Sequence, residues 1–295
     1  MSAPQRVRDT MPDVGGDADV PENTPRVRAR DLSVAYTGRG KGDDQFVAVA
    51  SATFEIHRSE MVCIVGPSGC GKTTVLNAIA GLMPYRSGLL EVDGRPVKGT
   101  GRDRAVVFQK AALLPWITVE DNVAYGLRSY GVKKGPARER AAEMLEMVGL
   151  QDFAKSYPYQ LSGGMQQRVN LARALAADPN ILLFDEPFAS VDAQTRETLQ
   201  SELLRIWTGS HKAGLFITHQ IDEAVLLGNR VVVSSRGPGS TISATIDIDI
   251  PWPRTRDSKL HPNFGGYVEQ IWTLLSGRSP AGEGATGSEH HRALT

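Results

Sequence analysis

Cysteine is scarce in this chain of 295 residues: only Cys63 and Cys70 occur. Two thiols cannot staple a protein of this length, and their spacing is neither a CxxC pair nor a zinc pattern. A disulfide scaffold is excluded, and a reducing cytosol is the expected home. Long apolar runs are missing too, since none approaches the roughly 18 residues that would span a bilayer. The first 30 residues carry Asp, Glu, Arg, Pro and Gly in place of the apolar stretch of a signal peptide. If the protein works at a membrane, something else must hold it there. A surplus of charge is also lacking. Lys+Arg and Asp+Glu number 33 each, which argues against a nucleic-acid partner, because such proteins need excess cations to displace counterions from phosphates. What remains is an ordinary globular composition, 41% hydrophobic and 22% charged, enough for one large domain or two small ones.

Residues 1–26 are polar and rich in Pro and Gly, and read as a disordered leader. The segment from Arg28 to Tyr36, a Gly-rich turn from Thr37 to Asp44, and alternation from Phe46 to Ile56 predict an antiparallel pair of strands. Met61–Val65 is continuously apolar, as a strand buried on both faces of a parallel sheet must be. Similar runs at Ile181–Phe184, Gly214–Thr218 and Arg230–Ser235 predict further strands. Helical spacing marks Thr73–Gly81, Ala137–Val148, Gln166–Ala177 and Thr195–Trp207. Strands alternating with helices predict an α/β sheet with right-handed crossovers. Residues 256–276 read as a helical extension. Residues 277–295, with His290 and His291, read as a frayed tail in which the two histidines are a solvated pair.

The most informative stretch is Gly66-Pro67-Ser68-Gly69-Cys70-Gly71-Lys72-Thr73, which fits the phosphate-binding pattern G-x-x-x-x-G-K-[ST]. Glycines let the backbone curl so that its N–H groups point at phosphates, and the following helix adds its positive end. Lys72 then meets the β/γ-phosphate charge, the Thr73 hydroxyl coordinates magnesium, and Thr74 donates to the α-phosphate. Cys70 reads as a small filler of the loop. A buried strand leads in and a helix leads out, the context that separates this motif from a chance turn. Its partner is Ile181-Leu182-Leu183-Phe184-Asp185-Glu186. An apolar strand ending in two acids puts Asp185 beside the phosphate loop, where it can hold magnesium, and Glu186 where it can polarise a water.

These two motifs define only an ATPase or GTPase. Leu161-Ser162-Gly163-Gly164-Met165-Gln166-Gln167-Arg168 is more specific, because it lies between them and can form another anion site, with Ser162 and the Gly163 and Gly164 amides opening a helix. With it the chain resembles the ATP-binding cassette (ABC) ATPases over roughly residues 27–255. Met165 stands where Gln is commonest in that family's signature. The resemblance implies ATP and Mg2+ as cofactors, and a phosphate-loop fold class: a mainly parallel core sheet, an antiparallel β subdomain and an α-helical signature subdomain. It implies that Tyr36 stacks on adenine and that Gln109 contacts magnesium and the attacking water. It further implies that Asp192 belongs to the loop facing the other subunit, and that His219 bonds the γ-phosphate. Catalysis then falls to Glu186, His219 and Gln109, and the metal to Thr73, Asp185 and Gln109. The partners implied are a second copy of the ATPase, two transmembrane permease subunits and a separate substrate-binding protein, with the ATPase peripheral on the cytoplasmic face of the membrane.

The run Leu113-Leu114-Pro115-Trp116 after Gln109, together with Glu186-Pro187-Phe188 and Gly237-Pro238-Gly239, is similar to the branch serving taurine, aliphatic sulfonate and nitrate importers. Taurine ranks first, other sulfonates second and nitrate third. The alternative is a non-transport ABC ATPase. Members in DNA repair separate the phosphate loop from the signature by a long coiled coil, whereas Lys72 to Ser162 leaves room only for a compact helical subdomain; translation members carry two cassettes, and this sequence shows one. A module that binds ATP without turnover is disfavoured by the presence of both Glu186 and His219. Within this reading Trp116 is either a buried core aromatic or a permease contact.

Overall fold

The computed structural model describes residues 24–37 and 45–277. Most of the expected leader, most of the Thr37–Asp44 turn, and the expected tail beyond Gly277 lie outside the described residues. Among those described, ten strands form one sheet in the order β5-β4-β1-β2-β10-β9-β3-β8-β7-β6. One end is antiparallel: β1 (Val27–Thr37) pairs with β2 (Gln45–Ile56) and with β4 (Ser87–Val92), and β4 with β5 (Arg95–Pro96). The other end is parallel: β9 (Arg230–Ser234), β3 (Met61–Val65), β8 (Ala213–Thr218), β7 (Ile181–Asp185) and β6 (Arg104–Val107). Strand β10 (Ser240–Asp247) joins the two, antiparallel to β9 and parallel to β2.

The two-residue period of the central strands explains how both faces are covered. Val62, Ile64, Leu183, Leu215 and Ile217 face a core shared with β1, β2 and helix α1 (Lys72–Ala80). Cys63, Val65, Leu182, Phe184 and Phe216 face the opposite core. That second core includes α2 (Val119–Ser129), α3 (Lys134–Met147), α4 (Gly163–Ala176) and α5 (Ala193–Trp207). Residues buried on both faces had to be apolar throughout, which is why these strands were readable as unbroken runs.

Three helices differ instructively from the sequence reading, two in where they start and one in being missed. Helix α3 starts at Lys134 and takes Pro136 into its first turn, where a missing N–H leaves no hydrogen bond unmade. Helix α4 starts at Gly163, three residues before the apolar period becomes visible, because Ser162 caps it. Helix α2, opened by the Thr118 cap with Glu120 and Asp121 in its first turn and burying Val119, Val123, Ala124 and Leu127, was not read from sequence at all. After β8 the chain forms α6 (Ile221–Leu227), and after β10 it closes with α7 (Phe264–Ser276). The buried Arg254 guanidinium ties this region together. It donates to the α6-end carbonyls of Val225 and Gly228 at 3.0 and 2.6 Å, and to Ile248 and Ile250. Burial lowers its pKa to about 10.

Candidate active site

The phosphate loop follows β3 and opens α1. Gly69 and Gly71 lie in the left-handed region, with φ 80° and 85°. A Cβ on Gly71 would stand 2.5 Å from the Val49 side chain and 3.1 Å from the Ala48 carbonyl, so only glycine serves there. Pro67, Ser68 and Gly69 form the rim, and the buried Cys70 packs inward, its carbonyl accepting from Ser240 Oγ at 2.6 Å. Lys72 is only 7% exposed. Its ammonium sits inside the curl of the loop, donating to the carbonyls of Gly66 at 2.8 Å and Pro67 at 3.1 Å.

Parallel pairing brings the second motif alongside. Strand β7 lies between β6 and β8, so Asp185 ends the strand at the same sheet edge as Thr218 and His219. Thr73 Oγ1 donates to Asp185 Oδ1 at 2.8 Å. Burial pushes the Asp185 carboxyl pKa up; the Thr73 hydrogen bond opposes this, the neighbouring Glu186 adds to it, and the Lys72 charge opposes it. Glu186 has φ 45°, a left-handed conformation uncommon for a non-glycine residue. The turn is held by its N–H, which donates to the Ile217 carbonyl at 3.0 Å. The result is a contact of 2.9 Å between Glu186 Oε2 and His219 Nδ1. These two residues are 33 positions apart in sequence.

The other expected site residues are placed as follows. Tyr36 is 46% exposed, and its hydroxyl shares a 3.0 Å hydrogen bond with Thr74 Oγ1. Thr74 is therefore buried against the tyrosine rather than open like Thr73. Phe46, 6.5 Å from the Tyr36 ring, adds a second exposed aromatic that sequence reasoning did not single out. Gln109 is exposed just past β6 and, among the described residues, its side chain makes no hydrogen bond to Thr73 or Asp185. Its backbone is fixed one residue earlier, where the Phe108 carbonyl accepts from Gln167 and Asn170 of α4 at 3.0 and 3.1 Å. Arg173, also of α4, holds the Ala111 and Ala112 carbonyls, and burial lowers its pKa. These α4 anchors were missed; their polar side chains on the buried face of a helix were the available signal.

Ser162 and Gly163 lie exposed at the N-terminus of α4, and Ser162 Oγ accepts from Met165 N at 3.3 Å. Beside them, Gly164 packs on Thr195, whose methyl would be 2.5 Å from an added Cβ. Asp192 caps α5, accepting from Thr195 N at 2.9 Å and Thr195 Oγ1 at 2.6 Å, bonds that lower its pKa. The N-termini of α4 and α5 thus open side by side. Among the described residues, no hydrogen bond joins Ser162, Gly163 or Gly164 to the phosphate loop of the same chain. The structure brings Lys72, Thr73, Asp185, Glu186 and His219 together, and leaves the signature residues outside that cluster.

Trp116 is not a core aromatic: it is 71% exposed. With Leu114, Ile117, Tyr125 and Arg128 it lines a surface cavity of about 380 Å³. Asn122 shapes this segment from α2, accepting from Leu114 N and donating to the Leu114, Ile117 and Thr118 carbonyls.

Fold and site together define a phosphate-loop nucleotide hydrolase. The ABC transporter family profile matches residues 49–189. An uncharacterised ABC transporter ATP-binding protein of Methanocaldococcus jannaschii is 51% identical over 228 residues, covering 77% of this chain and 84% of that one. The taurine import ATP-binding protein TauB of Rhizobium johnstonii is 48% identical over 233 residues, covering 77% and 88%. A dimeric ATP-binding cassette solved in a post-hydrolysis state with ADP and phosphate superposes with a TM-score of 0.65 at 31% identity, covering 75% of this chain and 98% of that one. This chain belongs to the ATP-binding cassette ATPases.

Proposed function

We propose that the chain is the ATP-hydrolysing subunit of an importer for taurine or a related sulfonate. The observation that carries the hydrolytic half is the Glu186–His219 contact at 2.9 Å, next to the Thr73–Asp185 pair. Lys72 meets the β- and γ-phosphates, and Glu186 polarises the attacking water. His219 is held by Glu186 and presents its other ring nitrogen to the γ-phosphate, while Gln109 approaches from the end of β6. Tyr36, with Phe46 beside it, offers a face for adenine.

Thr73 Oγ1 and Asp185 Oδ1 are hard oxygen donors at hydrogen-bond distance from each other, and they fit Mg2+, which takes few protein ligands and completes its shell with water and phosphate oxygens. When bound there, the ion would neutralise charge developing on the phosphates.

The exposed N-terminus of α4 supports a head-to-tail pair of subunits. In that arrangement Ser162, Gly163 and Gly164 of one copy meet the phosphate held by the other, and Asp192 lies at the shared boundary. Among the described residues, no helix is long and apolar enough to cross a membrane. Attachment to the cytoplasmic face then comes from two permease subunits, with a separate binding protein selecting cargo. The cavity around Trp116 is the proposed permease contact, since an exposed tryptophan beside Leu114, Ile117, Tyr125 and Arg128 has the aromatic and arginine character of an interface anchor. Trp116→Ala is expected to leave ATP hydrolysis by the isolated subunit within about twofold of wild type while weakening permease association by about 30-fold, the scale of a lost hot spot. Unchanged transport in that variant would refute the contact.

The cargo assignment draws on the likeness to taurine import proteins and on Leu113-Leu114-Pro115-Trp116. It is tested with a deletion strain grown on taurine, an alkanesulfonate or nitrate as sole sulfur or nitrogen source. A growth defect on taurine with normal use of nitrate is the expected result. The reverse pattern would favour a nitrate importer and leave the ATPase reading standing. Normal growth on all of them would favour a non-transport ABC ATPase.

A further inference from the structure

Arg196, in the first turn of α5, holds two loops on one guanidinium, the β7–α5 connection at two points and the β8–α6 connection at one. Its Nε donates to the Phe188 carbonyl at 3.3 Å, its Nη2 to the Val191 carbonyl at 3.1 Å, and its Nη1 to Gln220 Oε1 at 3.3 Å. Phe188 lies two residues after Glu186, Val191 immediately before Asp192, and Gln220 immediately after His219. One turn further along the helix, Gln200 Nε2 donates to the buried Glu223 carboxyl at 2.9 Å. Glu223 in turn shares a hydrogen bond with Thr218, on the other side of His219. The Thr218 hydroxyl also accepts the Gln220 N–H at 3.0 Å. One face of α5 therefore grips the His219 segment at both ends and the Glu186 and Asp192 segments at one point each.

We propose that Arg196 is a positioning residue that fixes Glu186, Asp192 and His219 in a single register, so that engagement of the Asp192 segment by a second subunit is passed to the Glu186–His219 pair. A guanidinium suits this because its donors form a rigid planar fork, whereas a lysine ammonium is a point charge on a flexible stem. The inference rests on reading Glu186 and His219 as the hydrolytic pair. Arg196 itself touches neither the carboxylate nor the imidazole, so its loss should misplace them without removing any phosphate contact.

Steady-state ATP hydrolysis by the full-length protein tests this, with thermal melting recorded for each variant. Arg196→Ala is expected to lower kcat by about tenfold or more, since an ångström of misplacement can cost on the order of a hundredfold, with the KM for ATP within about twofold. Arg196→Lys keeps the charge but loses the fork and stays slow. Gln220→Ala cuts only the link to the His219 side and gives a smaller loss of kcat. Combined with Arg196→Ala it adds nothing, because both break the same link. A kcat within about twofold of wild type for Arg196→Ala, full rescue by Arg196→Lys, or losses that multiply in the double variant would each overturn the proposal. If Arg196→Ala fails to fold, Arg196→Lys and Gln220→Ala decide by the same criteria. Glu186→Gln is run in parallel. Normal turnover there would refute the base assignment itself, a failure distinct from a normal Arg196→Ala.

Discussion

Glu186→Gln is expected to bind ATP with near-native affinity and to hydrolyse it at least about 100-fold more slowly, the loss typical of removing a positioned general base. The reasoning is geometric. Glu186 follows a strand whose last residue, Asp185, accepts a hydrogen bond from Thr73, while its own carboxylate contacts His219 Nδ1 at 2.9 Å. Among the described residues its side chain makes no hydrogen bond to the phosphate loop, so an amide of the same shape leaves that loop intact. The amide can still hydrogen-bond His219, which keeps the imidazole in place and isolates the loss of basicity. Single-turnover phosphate release together with an ATP-binding titration separates the two effects. Turnover within about tenfold of wild type would mean that another group activates the water.

Lys72→Ala should fail one step earlier, with ATP affinity falling about tenfold to a hundredfold or more. A charge-assisted hydrogen bond contributes about 1.5–3 kcal/mol, and the lysine faces more than one phosphate oxygen. The residue is 7% exposed, and its ammonium is already preorganised inside the loop by the Gly66 and Pro67 carbonyls. Binding therefore needs no long side chain to be ordered from solvent. Lys72→Arg should not rescue, because a planar fork does not fit a cradle built for a compact cation. Normal ATP affinity in Lys72→Ala would contradict the phosphate-loop assignment.

How much of this was legible in the sequence depended on whether a feature was local. The phosphate loop was readable because Gly66, Gly71, Lys72 and Thr73 act within eight consecutive residues, between an apolar strand and a helix. The central strands were readable because burial on both faces leaves no polar residue in Met61–Val65 or Ile181–Phe184. Besides α2, strands β4 to β6, the half-exposed β10 and helix α6 were not singled out. The strands among them are short or half exposed, and α6 spans only seven residues, so periodicity had too little length to act on. The contacts that complete the site are the least local: Thr73 to Asp185 spans 112 positions and Gln167 to Phe108 spans 59. Those depend on the order β8-β7-β6, which pattern alone does not specify. Trp116 shows the same limit, since an aromatic in an apolar run reads equally as core or as contact. Only the packing of α2 through Asn122 turns its segment outward.

If the exposed N-terminus of α4 serves the phosphate loop of a second copy, as proposed, one chain holds only half of each working site. The most direct measurement is the molar mass of full-length Glu186→Gln in solution by light scattering, with Mg2+ and either ATP or ADP. Twice the chain mass is expected with ATP and a single chain with ADP alone, because ADP brings no γ-phosphate to lie between Lys72 of one copy and Ser162 of the other. A single chain mass at saturating ATP would contradict it.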